Sequence, residues 1–294
     1  MRRIGAVAAG RARLSGVNRI LVTGAAGQLG TAVVDRARRG GLDVDARTSR
    51  ELDVTDPAAV RDAVAAGTVV VNCAAYTAVD AAETDEDAAR RVNADGPGLL
   101  AAACAAAGAR LVHVSTDYVF GGDARAAYDV ADSPAPQTAY GRTKLAGERA
   151  VHAALPSATI VRTAWVYTGT GTDFVATMLR LERERETVNV VADQVGAPTY
   201  TGDLADGLLE IVARDAPPPL LHFTNSGRAS WYDLARAVFE EAGADPTRVV
   251  PCTSAEFVRP APRPAFSVLS LRAWQDAGFT PPRAWRTALH EALR

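Results

Sequence analysis

The run Arg19-Ile-Leu-Val-Thr-Gly-Ala-Ala-Gly-Gln-Leu-Gly30 decides the fold. After the leading arginine, Ile20 to Thr23 are apolar or β-branched and read as a short strand. Gly24, Gly27 and Gly30 follow in GxxGxxG spacing, and TAVVDRARRG then carries helical periodicity to Gly40 and Gly41. A strand that turns on glycines into a helix leaves the bare amides of the helix N-terminus open to a close ligand, and a pyrophosphate suits such a cradle. Three glycines alone fit an unliganded turn equally well. Their place between strand and helix favours a dinucleotide site.

The alternation continues outward. A second strand is expected near Leu42–Ala46, a helix over Ala58–Ala66 and a buried strand at Thr68–Asn72. A long alanine-rich helix over Glu86–Ala107, a strand at Arg110–Ser115, a helix over Gln137–Ala154 and a strand at Ala158–Arg162 come next. This order implies an α/β fold with a Rossmann-like, doubly wound parallel sheet. Past Trp165 the pattern breaks up, with helices expected at Phe174–Arg185, Tyr200–Ala213, after Ser230 and from Pro282 to Leu293. The expected layout is a dinucleotide domain over 19–165, with 200–225 returning to it, and a smaller C-terminal α/β substrate-binding lobe over 166–294. Residues 1–18 hold no continuous apolar core, because Arg11 and Arg13 interrupt it. They read as a flexible extension rather than a signal peptide.

Composition narrows the function classes. The chain has 294 residues, 48% hydrophobic and 22% charged, as soluble globular proteins do. A net charge of −2 argues against nucleic acid as the main partner, and no apolar run is long enough to span a membrane. Cys73, Cys104 and Cys252 are far apart and lack zinc spacing, which fits a reducing, cytoplasmic setting.

Of the 32 basic residues, only Lys144 is a lysine, and it stands four residues after Tyr140 in AYGRTKLAGE. On a helix the two share a face. GxxGxxG with Tyr-x-x-x-Lys resembles the extended short-chain dehydrogenase/reductase group, which also places a Ser or Thr at the end of the preceding strand; here that strand ends in Ser115-Thr-Asp-Tyr-Val-Phe120. The chemistry suits ketone reduction. A tyrosine near its ordinary pKa of ~10 releases a proton poorly, and a nearby ammonium favours the phenolate. Tyr140 would then protonate the oxygen, Lys144 would support it and the cofactor ribose, and Thr116 would donate to the developing alkoxide. Asp53 and Val54, past the second strand, suit an adenine contact, and Ala74 and Ala75 a cofactor wall; Asp53 suits local capping as well. Arg47 and Arg50 lie where a 2′-phosphate would sit and tilt the choice from NADH toward NADPH. His113 and His222 read as core residues.

GAAGQLG, CAAYTAVDAAE, STDYVF, AYGRTKLAGE, RTAWVY, DFVATMLRL, DQVGAPT, LHFTNSGRASWYDLA and RPAFSVL together resemble the dTDP-4-dehydrorhamnose reductase family from residue 19 nearly to the end. The resemblance implies NAD(P)H-dependent reduction of the C4 ketone of dTDP-6-deoxy-L-lyxo-4-hexulose to dTDP-L-rhamnose, for cell-wall or surface polysaccharide. It adds Gln28 and Leu29 to the cofactor contacts and assigns the sugar nucleotide to Thr77, Val79, Asp80, Thr116, Trp165 and Arg263. Some relatives dimerise around magnesium held by a glutamate at the position of Ala32, so no metal and a monomer are expected, with a dimer as the alternative. Two other readings stay open. One is another nucleotide-sugar reductase or epimerase of the superfamily. The other is a non-catalytic, NADP-binding regulatory subunit of the methionine adenosyltransferase type.

Overall fold

The computed structural model describes residues 19–294; the expected extension over 1–18 lies outside the described residues. Six parallel strands form the central sheet: β1 Arg19–Thr23, β2 Asp43–Arg47, β3 Thr68–Asn72, β4 Arg110–Thr116, β5 Thr159–Thr163 and β6 Leu220–His222. Their spatial order is β6-β5-β4-β3-β1-β2. The chain steps outward from β1 to β2, then crosses back to the other side for β3. That reversal opens a crevice at the carboxyl ends of β1 and β3, the usual ligand position in such sheets.

Strand alternation divides the core between the two faces. Ile20, Val22, Val69, Val71, Val112 and Val161 point one way, against the helices Gln28–Arg39 and Thr201–Val212. Leu21, Val70, Leu111 and Ile160 point the other way, against Pro57–Ala63, Gly96–Ala107 and Ala139–Ala154. Each fully buried aliphatic side chain contributes about 1.5–3 kcal/mol, so both faces of the sheet are held. The helix Thr201–Val212 packs on the Gln28–Arg39 helix, and β6 pairs with β5 at the sheet edge.

The remaining C-terminal residues build a third core around Tyr167, Met178, Val190, Leu234, Phe239 and Leu289. There Val188–Val191 pairs in parallel with Val249–Cys252. Ser230 starts the helix Trp231–Glu241 with a capping box to Asp233.

The expected helix over Glu86–Ala107 differs in one respect. It runs as α-helix over Glu86–Arg90, π-helix over Arg91–Asp95 and α-helix again over Gly96–Ala107. The π turn rotates Asn93 into the interior, where its side chain accepts from Tyr76 N at 2.8 Å and donates to Tyr76 O and Thr143 Oγ1. One amide therefore ties the loop after β3 to the Ala139–Ala154 helix. Among the described residues, no helix is long and apolar enough to cross a membrane, and no cluster of three His, Cys, Asp or Glu suits a metal ion.

Candidate active site

Gly24 takes φ +66°, and a Cβ there would lie 2.7 Å from Ala74 N. Gly30 passes closer still: its Cβ would meet Gly24 O at 2.2 Å. The glycines therefore fold the loop onto itself and onto the strand end beside it. Gly27 caps the following helix without a side-chain hydrogen bond, so the first-turn amides stay bare. This cradle fits a dinucleotide pyrophosphate.

Across from the loop stands the helix Ala139–Ala154, whose start is fixed by Thr138 accepting from Gly141 N. Gly141 and Gly147 allow it to sit tight: Cβ atoms there would fall 2.2 Å from Tyr118 O and 2.0 Å from Asn93 O. Tyr140 and Lys144 share its cleft-facing side. Lys144 is 1% exposed and donates from Nζ to Val114 O at 2.8 Å. One turn on, Glu148 forms a buried pair with Arg162 and accepts the Ser115 hydroxyl.

A cleft of about 690 Å³ joins these parts. Its walls include Gly27, Gln28, Leu29, Gly30, Ala75, Thr77, Val79, Thr116, Tyr140, Lys144 and Trp165. The other sequence candidates lie off those walls. Gly24 and Ala74 pack behind them. Asp53 accepts from Thr55 N and Oγ1 in a local turn, and Val54 is buried in the second core. Asp80 and Arg263 hold each other through two 2.8 Å contacts, with Ala261 N also donating to Asp80. His113 and His222 are fully buried.

Sequence reasoning missed several walls of the cleft. Trp231 stacks on Trp165 with centroids 3.5 Å apart and planes 5° apart. Trp165 is the one non-glycine residue at positive φ, 48°, among the described residues. A bulky residue held in that region stores strain, and such strain gathers at functional sites. Gly196 of DQVGAPT lets this happen, since its Cβ would collide with the Trp165 ring at 2.4 Å. Tyr118, Ser115, Asp117, Thr163 and Cys73 also line the cleft.

The electrostatics depart from the simple expectation for Tyr140. Burial pushes its phenol up to about 12, with the Thr116 hydroxyl pulling the other way. Burial brings the Lys144 ammonium down to about 8, partly offset by Glu148. The depression of the phenol by Lys144 is absent because burial dominates and the ammonium is drawn to the Val114 carbonyl. A phenol at that value keeps its proton at neutral pH.

The family described as RmlD substrate binding domain matches residues 18–294. The dTDP-4-dehydrorhamnose reductase of Mycolicibacterium smegmatis is 55% identical over 286 residues, 96% of this chain and 88% of its own length. This chain belongs to the dTDP-4-dehydrorhamnose reductase family. It is an enzyme, an NAD(P)H-dependent oxidoreductase. A second relative, the probable dTDP-4,6-dihydroxy-2-methyloxan-3-one 4-ketoreductase of Streptomyces antibioticus, is 53% identical over 94% of both chains. The crystal structure of the Bacillus anthracis dTDP-4-dehydrorhamnose reductase in complex with NADP superposes with a TM-score of 0.89 at 36% identity, covering 93% of this chain and 98% of that one. In family terms, the glycine cradle and the Tyr140–Lys144 face are the parts that a reductase needs opposite one another.

Proposed function

We propose that this enzyme reduces the C4 ketone of dTDP-4-dehydro-6-deoxy-L-mannose to dTDP-L-rhamnose, with Tyr140 as general acid. The observation that carries this is the meeting of Thr116, Tyr140 and Lys144 on one cleft wall, facing the Gly27–Gly30 loop. When bound, the nicotinamide supplies hydride to the ketone carbon. Tyr140 gives its proton to the oxygen; moving a proton from a phenol near 12 to an alkoxide is downhill. Lys144 keeps a positive charge beside the phenolate that results, and Thr116 donates to the oxygen as charge develops. Gly27 to Gly30 receive the pyrophosphate, with Gly24 shaping their turn. Asp53, Val54, Ala74 and Ala75 shape the adenine and ribose side. Thr77, Val79 and Trp165 hold the sugar nucleotide, and the Asp80–Arg263 pair borders its diphosphate end.

NADPH is the preferred cofactor in this reading. Arg47 ends β2, Arg50 follows on the surface, and the nearest acid, Glu51, is already bound by Thr48 N and Oγ1. The enzyme works in the cytoplasm as a monomer, without metal.

The test mixes purified enzyme, the epimerised keto-sugar nucleotide and NADPH or NADH, and follows cofactor absorbance and dTDP-rhamnose by chromatography. Oxidation with product formation, lost in Tyr140→Phe, supports the reading. Tight cofactor binding with no turnover favours a regulatory role. Since one 53% identical relative is named a 4-ketoreductase of a different dTDP-sugar, a second reading has that 2-deoxy ketone as substrate. Comparing kcat/KM for the two ketones decides between them.

A further inference from the structure

Asp117 follows Thr116 at the carboxyl end of β4, lines the cleft and is 3% exposed. Its Oδ1 accepts the Thr116 hydroxyl at 3.0 Å, and its Oδ2 has no partner. Ser267, brought in by RPAFSVL from the C-terminal part of the chain, hydrogen-bonds the same carboxyl. A hydroxyl has one proton to give. Thr116 Oγ1 also accepts Tyr118 N–H at 3.2 Å, so its proton points at Asp117 and not at the cleft. The bond that ketone reduction asks of Thr116 and the bond it makes here therefore compete for one proton.

We propose that Asp117 is a positioning residue for the reduction: its neutral carboxyl donates to Thr116 Oγ1 and turns the Thr116 proton toward the ketone oxygen, while its ionised carboxylate captures that proton. This rests on the reading in which Thr116 and Tyr140 serve the ketone. With Tyr118 N–H and the Asp117 acid both donating, the two acceptor sites of Thr116 Oγ1 are filled and its proton is free. An ionised carboxylate with an unpartnered, buried oxygen is costly, so the site favours the neutral acid. Burial raises the group to about 6, against the Ser267 and Thr116 hydrogen bonds. Both forms are thus reached near neutral pH. Proton accounting is unchanged: Tyr140 loses its proton to the ketone oxygen as hydride reaches carbon, and Thr116 and Asp117 only redirect hydrogen bonds.

The titratable groups facing Asp117 are Tyr118 from its own loop and Tyr140 from the helix, both pushed upward by burial and protonated throughout this range. Ser267, from the opposite side, does not titrate. Arg263 and Asp80, paired with each other, act on Tyr118 beyond it. Lys144, further along the cleft, titrates near 8 and gives a separate limb.

The test is kcat/KM against pH with the keto-sugar nucleotide and saturating NADPH, which reports the free enzyme's groups. Wild type is expected to fall about tenfold per pH unit above a midpoint set by Asp117. Asp117→Asn keeps a donor, so it is expected to lose that limb, retain the Lys144 limb and stay within about tenfold of wild type at its best pH. Asp117→Leu has no donor and is expected to lose about 10- to 100-fold in kcat with a smaller change in KM. Ser267→Ala removes a bond that favours the carboxylate, so the limb shifts to higher pH. An unchanged limb in folded, cofactor-binding Asp117→Asn, or an unmoved or lowered midpoint in Ser267→Ala, overturns the proposal alone. Wild type that oxidises no NADPH at any pH overturns the underlying reading with it.

Discussion

Replacing Glu148 with methionine leaves the Arg162 guanidinium buried without its counter-ion. The two side chains are 7% and 3% exposed, so water cannot take the carboxylate's place. Glu148 receives three hydrogen bonds: Nε of Arg162 at 2.9 Å, Nη2 at 2.7 Å and the Ser115 hydroxyl at 2.5 Å. Arg162 keeps only its position over the Phe120 ring, 4.9 Å from the centroid. Its Nη1 is already without a partner. Breaking a buried pair from one side costs about 3–5 kcal/mol. For a chain of this size that lowers the melting midpoint by roughly 6–10 °C. The double replacement Glu148→Met with Arg162→Met removes both charges and is expected to recover most of the loss, leaving a coupling energy of about 2 kcal/mol or more. Urea titrations of wild type, both single variants and the double variant measure it. A single variant within about 1 kcal/mol of wild type, or additive losses, refutes the reasoning.

Lys144→Met tests the burial of the ammonium. The folded value is about 8 against an ordinary 10.5, so between those limits the unfolded chain holds more protons and folding stability rises with pH; the variant should flatten that rise in denaturant titrations. Gly141→Ala would place a methyl 2.2 Å from Tyr118 O. The helix must shift, at about 1–3 kcal/mol, and kcat should fall more than stability predicts. Trp231→Ala removes the ring stacked on Trp165 and is expected to raise KM for the sugar nucleotide about tenfold, with cofactor binding by fluorescence titration changed little. Arg47→Ala with Arg50→Ala should raise KM for NADPH and spare NADH; equal effects on both would remove the cofactor preference argued above.

Much of this was readable in the sequence, for physical reasons. β1 to β5 announce themselves as apolar runs, because a strand buried on both faces tolerates little else. Lys144 stood out by residue type alone, since a compact ammonium cannot be exchanged for arginine in a closed site. Asn93 was hidden. A π turn adds one residue to a hydrogen-bonded ring without needing a distinctive residue type, so the alanine-rich stretch reads as plain helix on both sides of it. Trp231 was hidden too, because an aromatic on an amphipathic helix reads as core. The Tyr140 value depends on how deeply the ring is covered, which one-dimensional spacing does not carry. Nor does spacing reveal that Asp80 and Arg263, individually proposed for the substrate, satisfy each other.

That last pair has a temporal consequence. Asp80 and Arg263 are 183 positions apart. During synthesis the N-terminal part emerges first, so β1 to β5 can assemble while the partner of Asp80 is still untranslated. The clasp beside the cleft can then close only after most of the polypeptide has appeared. A nascent enzyme would gain its nucleotide cradle early and its substrate border late.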